Sequence, residues 1–92
     1  MSLEFEWDAK KAEANRAHHG IDFEEALTVF RDPLARIFED EEHSPREIMI
    51  GHSVKQRLIL VCFAVCGARV RIISARKATR LEHRDCEENV LP

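Results

Sequence analysis

Seven cations gather in the second half of the chain: Arg57, Arg69, Arg71, Arg76, Lys77, Arg80 and Arg84. Between residues 54 and 84, eight basic side chains stand against one acid, Glu82, although the whole chain has a formal charge of −3. The offset lies upstream, where residues 1–50 hold six Lys or Arg and thirteen Asp or Glu. Arginine suits a phosphate site because its planar fork grips two oxygens and never loses its charge. Two readings stay open on charge alone. One is an anion-binding surface, and the other is a solvated sheet face paired with the acidic half. Strand alternation puts Arg69 and Arg71 on one face and Arg76 on the other. A bulge near Ser74 would bring the three together.

Groups for proton transfer come next. The histidines are His18, His19, His43, His52 and His83, and an unperturbed imidazole has the side-chain pKa nearest neutrality. In the first predicted helix Asp8, Lys11, Asn15 and His19 fall on one polar stripe, either a site or a hydrogen-bonded seam against a neighbouring element. Metal chemistry is poorly supported. Cys62 and Cys66 sit in a strand-like run about 13 Å apart, too far for one tetrahedral ion. The acidic run Glu39–Glu42 lacks the spacing and glycine of a calcium loop. No Gly-rich phosphate loop and no Gly-x-Ser-x-Gly elbow occurs, and Cys86 lies among acids that would raise its pKa. The chemistry expected is free of metal and cofactor.

These residues need elements to position them, and 92 residues supply one domain, read here over 1–92. Hydrophobic content of 45% with 34% charged residues suits a globular chain. The longest apolar run, Leu58–Cys66, is far short of the roughly 20 residues that span a bilayer. The acidic opening differs from a secretory leader, and three cysteines without Cys-x-x-Cys spacing fit a reducing cytoplasm. Phe5-Glu6-Trp7 alternates like a strand. Asp8 is placed to cap a helix from Ala9 to about His19, and Gly20 to stop it. Asp22 with Glu25 looks like a capping box ahead of the stripe Phe23, Ala26, Leu27 and Phe30, which ends at Asp32-Pro33.

Strands are expected at Leu34–Phe38 and from Ile48, with an exposed acidic turn between them. After a polar turn at Ser53–Gln56, Arg57–Cys66 reads as a central strand covered on both faces. Gly67-Ala68 turns into Arg69–Arg76, and Thr79 with Glu82 forms a second capping box opening a helix over Arg80–Asn89. The expected fold class is α+β, with a mostly antiparallel four- to five-stranded sheet, two amino-terminal helices and one carboxyl-terminal helix.

Taken together, two runs of residues resemble the BrnT toxin family of bacterial type II toxin–antitoxin systems. The first is Phe5-Glu6-Trp7-Asp8, Lys11, Asn15, His19-Gly20, Phe23-Glu24-Glu25-Ala26, Val29-Phe30 and Asp32-Pro33. The second is His43-Ser44, Ile50-Gly51, Ser53, Arg57-Leu58, Arg71-Ile72-Ile73-Ser74-Ala75-Arg76, Ala78-Thr79 and Glu82. The resemblance spans residues 4–88. It implies a RelE/ParE-like ribonuclease that inhibits translation and is neutralised by a BrnA-type antitoxin with a ribbon-helix-helix domain. Operator DNA is then met only through that antitoxin. The chain departs from the pattern at His18, at the order Arg46-Glu47, and at Cys86, where the family commonly has a basic residue, the reverse order and an aromatic.

With that resemblance, metal-independent cleavage calls for a base at the 2′-hydroxyl, cations at the phosphorane and an acid at the leaving 5′-oxygen. Arg57, Arg71 and Arg76 are assigned to the phosphate and Arg80 to the RNA backbone. Arg69, Lys77 and Lys11 extend the RNA-binding set. His19 is the first candidate for proton transfer and Glu47 the second. Two other classes stay open: a catalytically degenerate protein-interaction module, and an RNA-binding module without cleavage.

Overall fold

The computed structural model describes residues 4–40 and 46–82. Five strands and two helices follow in the order β1 (Glu4–Glu6), α1 (Ala9–His19), α2 (Phe23–Val29), β2 (Arg36–Glu39), β3 (Arg46–His52), β4 (Leu58–Cys66) and β5 (Arg69–Lys77). The strands form one sheet ordered β1-β5-β4-β3-β2. Hairpin neighbours pair antiparallel, but β1 runs parallel to β5, with Phe5 opposite Val70. The sheet is therefore mixed rather than antiparallel. The long excursion between β1 and β5 permits the parallel pairing that a tight turn forbids.

Local chemistry accounts for the helix ends. The Asp8 carboxylate accepts from the Lys10 and Lys11 amides at 2.8 and 3.4 Å, and Gly20 closes α1 at φ +71°, where a Cβ is strained. Asp22 precedes α2 without a side-chain cap, and the Glu25 carboxylate is taken up by Ser53 and Arg57 instead of reaching back to Asp22. The expected box there does not form. Thr79 and Glu82 do form theirs: the Thr79 amide donates to Glu82 Oε1 at 2.6 Å, and the Glu82 amide to Thr79 Oγ1 at 3.2 Å. Residues 80–82 begin a helical turn, and the rest of the predicted last helix lies outside the described residues.

Both helices pack on one face of the sheet. Phe23, Ala26 and Val29 of α2 and Ile21 before it meet Met49, Ile59, Val61, Phe63, Val70, Ile72 and Ala75. Each of the larger side chains contributes roughly 1.5–3 kcal/mol by burial. Phe5, Phe30 and Phe63 stack edge to face at 5.0 and 5.1 Å, tying the edge strand to α2. β4 is central as expected, but its two faces differ. Ile59, Val61 and Phe63 are buried under the helices, whereas Leu60, Cys62 and Ala64 on the other face are only half-buried. The half-covered face is where charge collects.

Candidate functional site

Register decides which arginines meet. Cys62 pairs with Ser74 but Phe63 with Ile72, so Ile73 is the extra residue of a bulge in β5. Directly opposed residues share a face. Arg69, Arg71, Ser74 and Arg76 therefore project with Cys66, Ala64, Cys62 and Leu60, away from the helices. Without the bulge, Arg76 would point into the helix side. Two further arginines frame the same face. Arg46 pairs with Ala64, the partner of Arg71, and Arg36 pairs with Ile50, which faces Leu60 and Arg76. The result is a shallow trough with an aliphatic floor and arginines on both banks, about 10 Å apart at Arg46 and Arg71, two strand spacings, and about 14 Å apart at Arg36 and Arg76, three spacings. Burial pushes the Cys62 thiol pKa up, and Arg46 pulls it back, which agrees with both lying on this face.

Each arginine of β5 on this face touches a carboxylate. Arg76 donates through Nη1 and Nη2 to the two oxygens of Glu82, both at 2.9 Å. That fork and the Thr79 amide hold the Glu82 carboxyl at about 2. Arg71 Nη1 donates to Glu6 Oε2 at 3.0 Å, and Arg69 lies 3.4 Å from both Glu4 and Glu6. These pairs are open to solvent, where an ion pair contributes roughly 0–1 kcal/mol. On this face the pairing envisaged between the acidic and basic halves is therefore real at Arg69 and Arg71, where it is weak, while Arg76 pairs within the basic half.

Arg57 has a different situation. It reaches to the helix side, where Nε donates to Glu25 Oε2 at 2.9 Å and Nη2 donates to Oε1. Ser53 Oγ donates to the same carboxylate at 2.7 Å, and Lys55 Nζ lies 3.8 Å away. The Glu25 side chain is only 3% exposed. The Arg57 fork, with lesser help from Ser53 and Lys55, keeps its pKa below the usual carboxylate range against the cost of burial. Glu25 thus ties α2 to the β3–β4 turn, and Arg57 is held away from the arginine trough.

The other expected site residues divide between the faces. Glu47 pairs with the core residue Phe63 and so faces the helix side, as does Lys77 through Ile59. Lys11 and His19 are exposed on α1, with the His19 ring edge-on to His18 at 4.5 Å. Neither helix residue shares a face with Arg71 and Arg76. Arg80 is exposed, two residues before Glu82. His43, His83, Arg84 and Cys86 lie outside the described residues. Among the described residues no three His, Cys, Asp or Glu side chains converge as metal ligands, and no helix is long and apolar enough to cross a membrane.

The polar stripe of α1 resolves into a seam at Asn15, which is 7% exposed. Its Nδ2 donates to Ala75 O at 2.9 Å and Ile21 O at 3.0 Å, while its Oδ1 accepts from the Ala75 amide at 3.1 Å.

The sequence profile of a family described as "Ribonuclease toxin, BrnT, of type II toxin-antitoxin system" matches residues 7–82. The chain belongs to the BrnT family. The fold agrees with that assignment. The crystal structure of the ribonuclease toxin BrnT from Brucella abortus aligns with a TM-score of 0.72 and 27% identity, over 86% of this chain and 100% of that one. Among curated proteins none matches significantly. Membership of a type II toxin–antitoxin system implies an antitoxin partner. The BrnT match takes in Asn15, Glu25, Arg57, the bulge and Glu82, but begins after Glu4 and Glu6. Sequence reasoning passed over Glu6, Arg46 and Arg36 as functional residues because their place in the trough depends on strand register. The alternation of Glu4 and Glu6 on either side of Phe5 was the available signal.

Proposed function

We propose that this chain is a cytoplasmic endoribonuclease toxin that cuts RNA without a metal ion and inhibits translation. In this reading the fold is RelE/ParE-like, and a BrnA-type antitoxin with a ribbon-helix-helix domain neutralises it and alone contacts operator DNA. The bulge in β5 carries the reading, because it turns Arg69, Arg71 and Arg76 onto one open face. An RNA strand lies along the trough, and its phosphates replace the carboxylates of Glu6 and Glu82 on Arg71 and Arg76. Guanidinium forks then stabilise the crowded phosphorane, a contribution of the order of 10²–10³ in rate for a well-placed donor. Arg69 and Arg80 extend the contact along the backbone. Glu6, beside Arg71, is the carboxylate placed to take the 2′-hydroxyl proton once phosphate has displaced it, and water supplies the proton that the leaving 5′-oxygen takes up.

The test is inducible expression of the chain alone in a bacterium, following growth and total RNA, beside R76A with soluble yield and melting measured for both. Growth arrest with RNA loss that disappears in a folded R76A is expected. Unimpaired growth at good soluble expression of the parent chain would overturn the nuclease reading. Persistent toxicity of R76A would remove Arg76 from the site.

A further inference from the structure

We infer that Asn15 is a positioning residue for the arginine face: its side chain stands in for a missing strand beside β5 and holds Arg76 in line with Arg71. The inference rests on the reading of that face as the RNA surface. β1 covers β5 only from Arg69 to Arg71. Beyond that point no strand of the described residues flanks the outer edge of β5, yet Ala75 is 1% exposed. Its N–H and C=O would be buried without partners, which is costly for both groups. Asn15 satisfies the two at once, accepting from the N–H at 3.1 Å and donating to the C=O at 2.9 Å. This is the same acceptor-and-donor pair that a residue on a neighbouring strand presents.

The location gives the contact its consequence. Ala75 lies directly between Ser74, where the bulge ends, and Arg76. A bulged strand carries one residue more than its partner, and a slip of one residue exchanges the faces of every side chain beyond it. β4 holds the register from one edge through Val61 opposite Ala75. Asn15 holds it from the other edge. The remaining Nδ2 proton goes to Ile21 O, so the α1–α2 connection is fixed to the same point. Aspartate in this place keeps the acceptor and loses both donations, and serine is too short to span them.

The experiment measures binding of a mixed-sequence 2′-O-methyl RNA 20-mer, which the 2′-hydroxyl mechanism cannot cleave, from about 50 to about 300 mM KCl. The full chain is compared with R76Q, N15D and R76Q/N15D, each verified as folded by its melting curve. Loss of one phosphate contact to single-stranded RNA lowers the slope of log affinity against log salt by about 0.7, or about 3.5-fold less affinity lost over that range. R76Q and N15D are each expected to show this reduction, and the double variant no further one. N15S, which leaves room for a bridging water, is read alongside and keeps the comparison intact if N15D does not fold. A lower melting temperature with the parent slope in N15D or N15S would overturn the positioning role. An unchanged slope in R76Q would instead sink the reading of this face as the RNA surface.

Discussion

Replacing Arg57 with alanine should destabilise the fold far more than a surface arginine normally does. The Glu25 carboxylate is 3% exposed and the Arg57 side chain 30%. Removing one partner of a buried pair costs about 3–5 kcal/mol, because the other charge is left without compensation. Ser53 still donates to Glu25, and Lys55, which is 61% exposed, can follow the charge from 3.8 Å. These place the expected loss at about 2–3 kcal/mol. In a domain this size that lowers the melting temperature by about 10–20 °C.

The pH dependence gives the prediction its sign. In the parent chain the Glu25 pKa is depressed below 4.5. Its contribution to stability is fully present above 4.5 and is lost as pH falls through the depressed value. In R57A the burial cost remains without the fork, which raises the pKa from its value in the parent, so acidification costs the variant less than it costs the parent. The gap in unfolding free energy between the two, followed by urea titration from neutral pH to below 4.5, should narrow at the acid end. E25Q/R57A should recover most of the loss. An R57A variant that melts within about 3 °C of the parent, or a gap that widens on acidification, would refute the buried-pair account and return Arg57 to the candidates for RNA contact.

Gly51 packs so closely that an added Cβ would stand 2.8 Å from Ala35 Cβ and 3.0 Å from Val29 Cγ1. G51A should therefore cost about 1–3 kcal/mol in thermal unfolding, and a neutral result would show that the packing of Val29 and Ala35 against β3 gives way easily. The Glu82 carboxyl, lowered from 4.5 to about 2 chiefly by Arg76, stabilises the fold above pH 4.5, and this contribution drains away between 4.5 and about 2. With Arg76 39% exposed, solvent screening reduces that contribution to about 1 kcal/mol. E82Q should flatten the acid limb of the stability profile by that amount while tightening binding of the 2′-O-methyl RNA a few-fold, because Arg76 is released.

What the sequence made legible was mostly local. Asp8, Gly20 and the Thr79–Glu82 box act within four residues of themselves, and their roles follow from spacing alone. The β-branched run of β4 announced a central strand. Long-range choices were hidden. Three residues of β1 pair with a strand 65 positions away, and no periodicity in Glu4–Glu6 distinguishes parallel from antiparallel pairing. Glu25 stands three residues after Asp22, the spacing of a capping box, but its real partner is Arg57, 32 residues on. Asn15 on the polar stripe suggested a seam, and the seam is there, though Lys11 and His19 on the same stripe remain exposed. The arginine face was conditional in the sequence on a bulge near Ser74. Register alone could settle that, and it does.

Burial separates the ion pairs of this chain into two kinds with different uses. Glu25 sits beneath the surface, where its partner cannot leave without a large penalty, so Arg57 serves the fold. Glu4, Glu6 and Glu82 meet their arginines at side chains 26–68% exposed, where forming or losing a pair changes the free energy little. A phosphodiester offers the same two-oxygen edge to the same guanidinium, so exchange of carboxylate for phosphate is nearly balanced in hydrogen bonds. The acidic residues then let a chain of net charge −3 carry an arginine face that is paired in isolation and open to a polyanion. On the proposed reading, what would favour the polyanion is the repetition of its charges along the trough, since several phosphates would displace several weakly held carboxylates at once and release their own counterions.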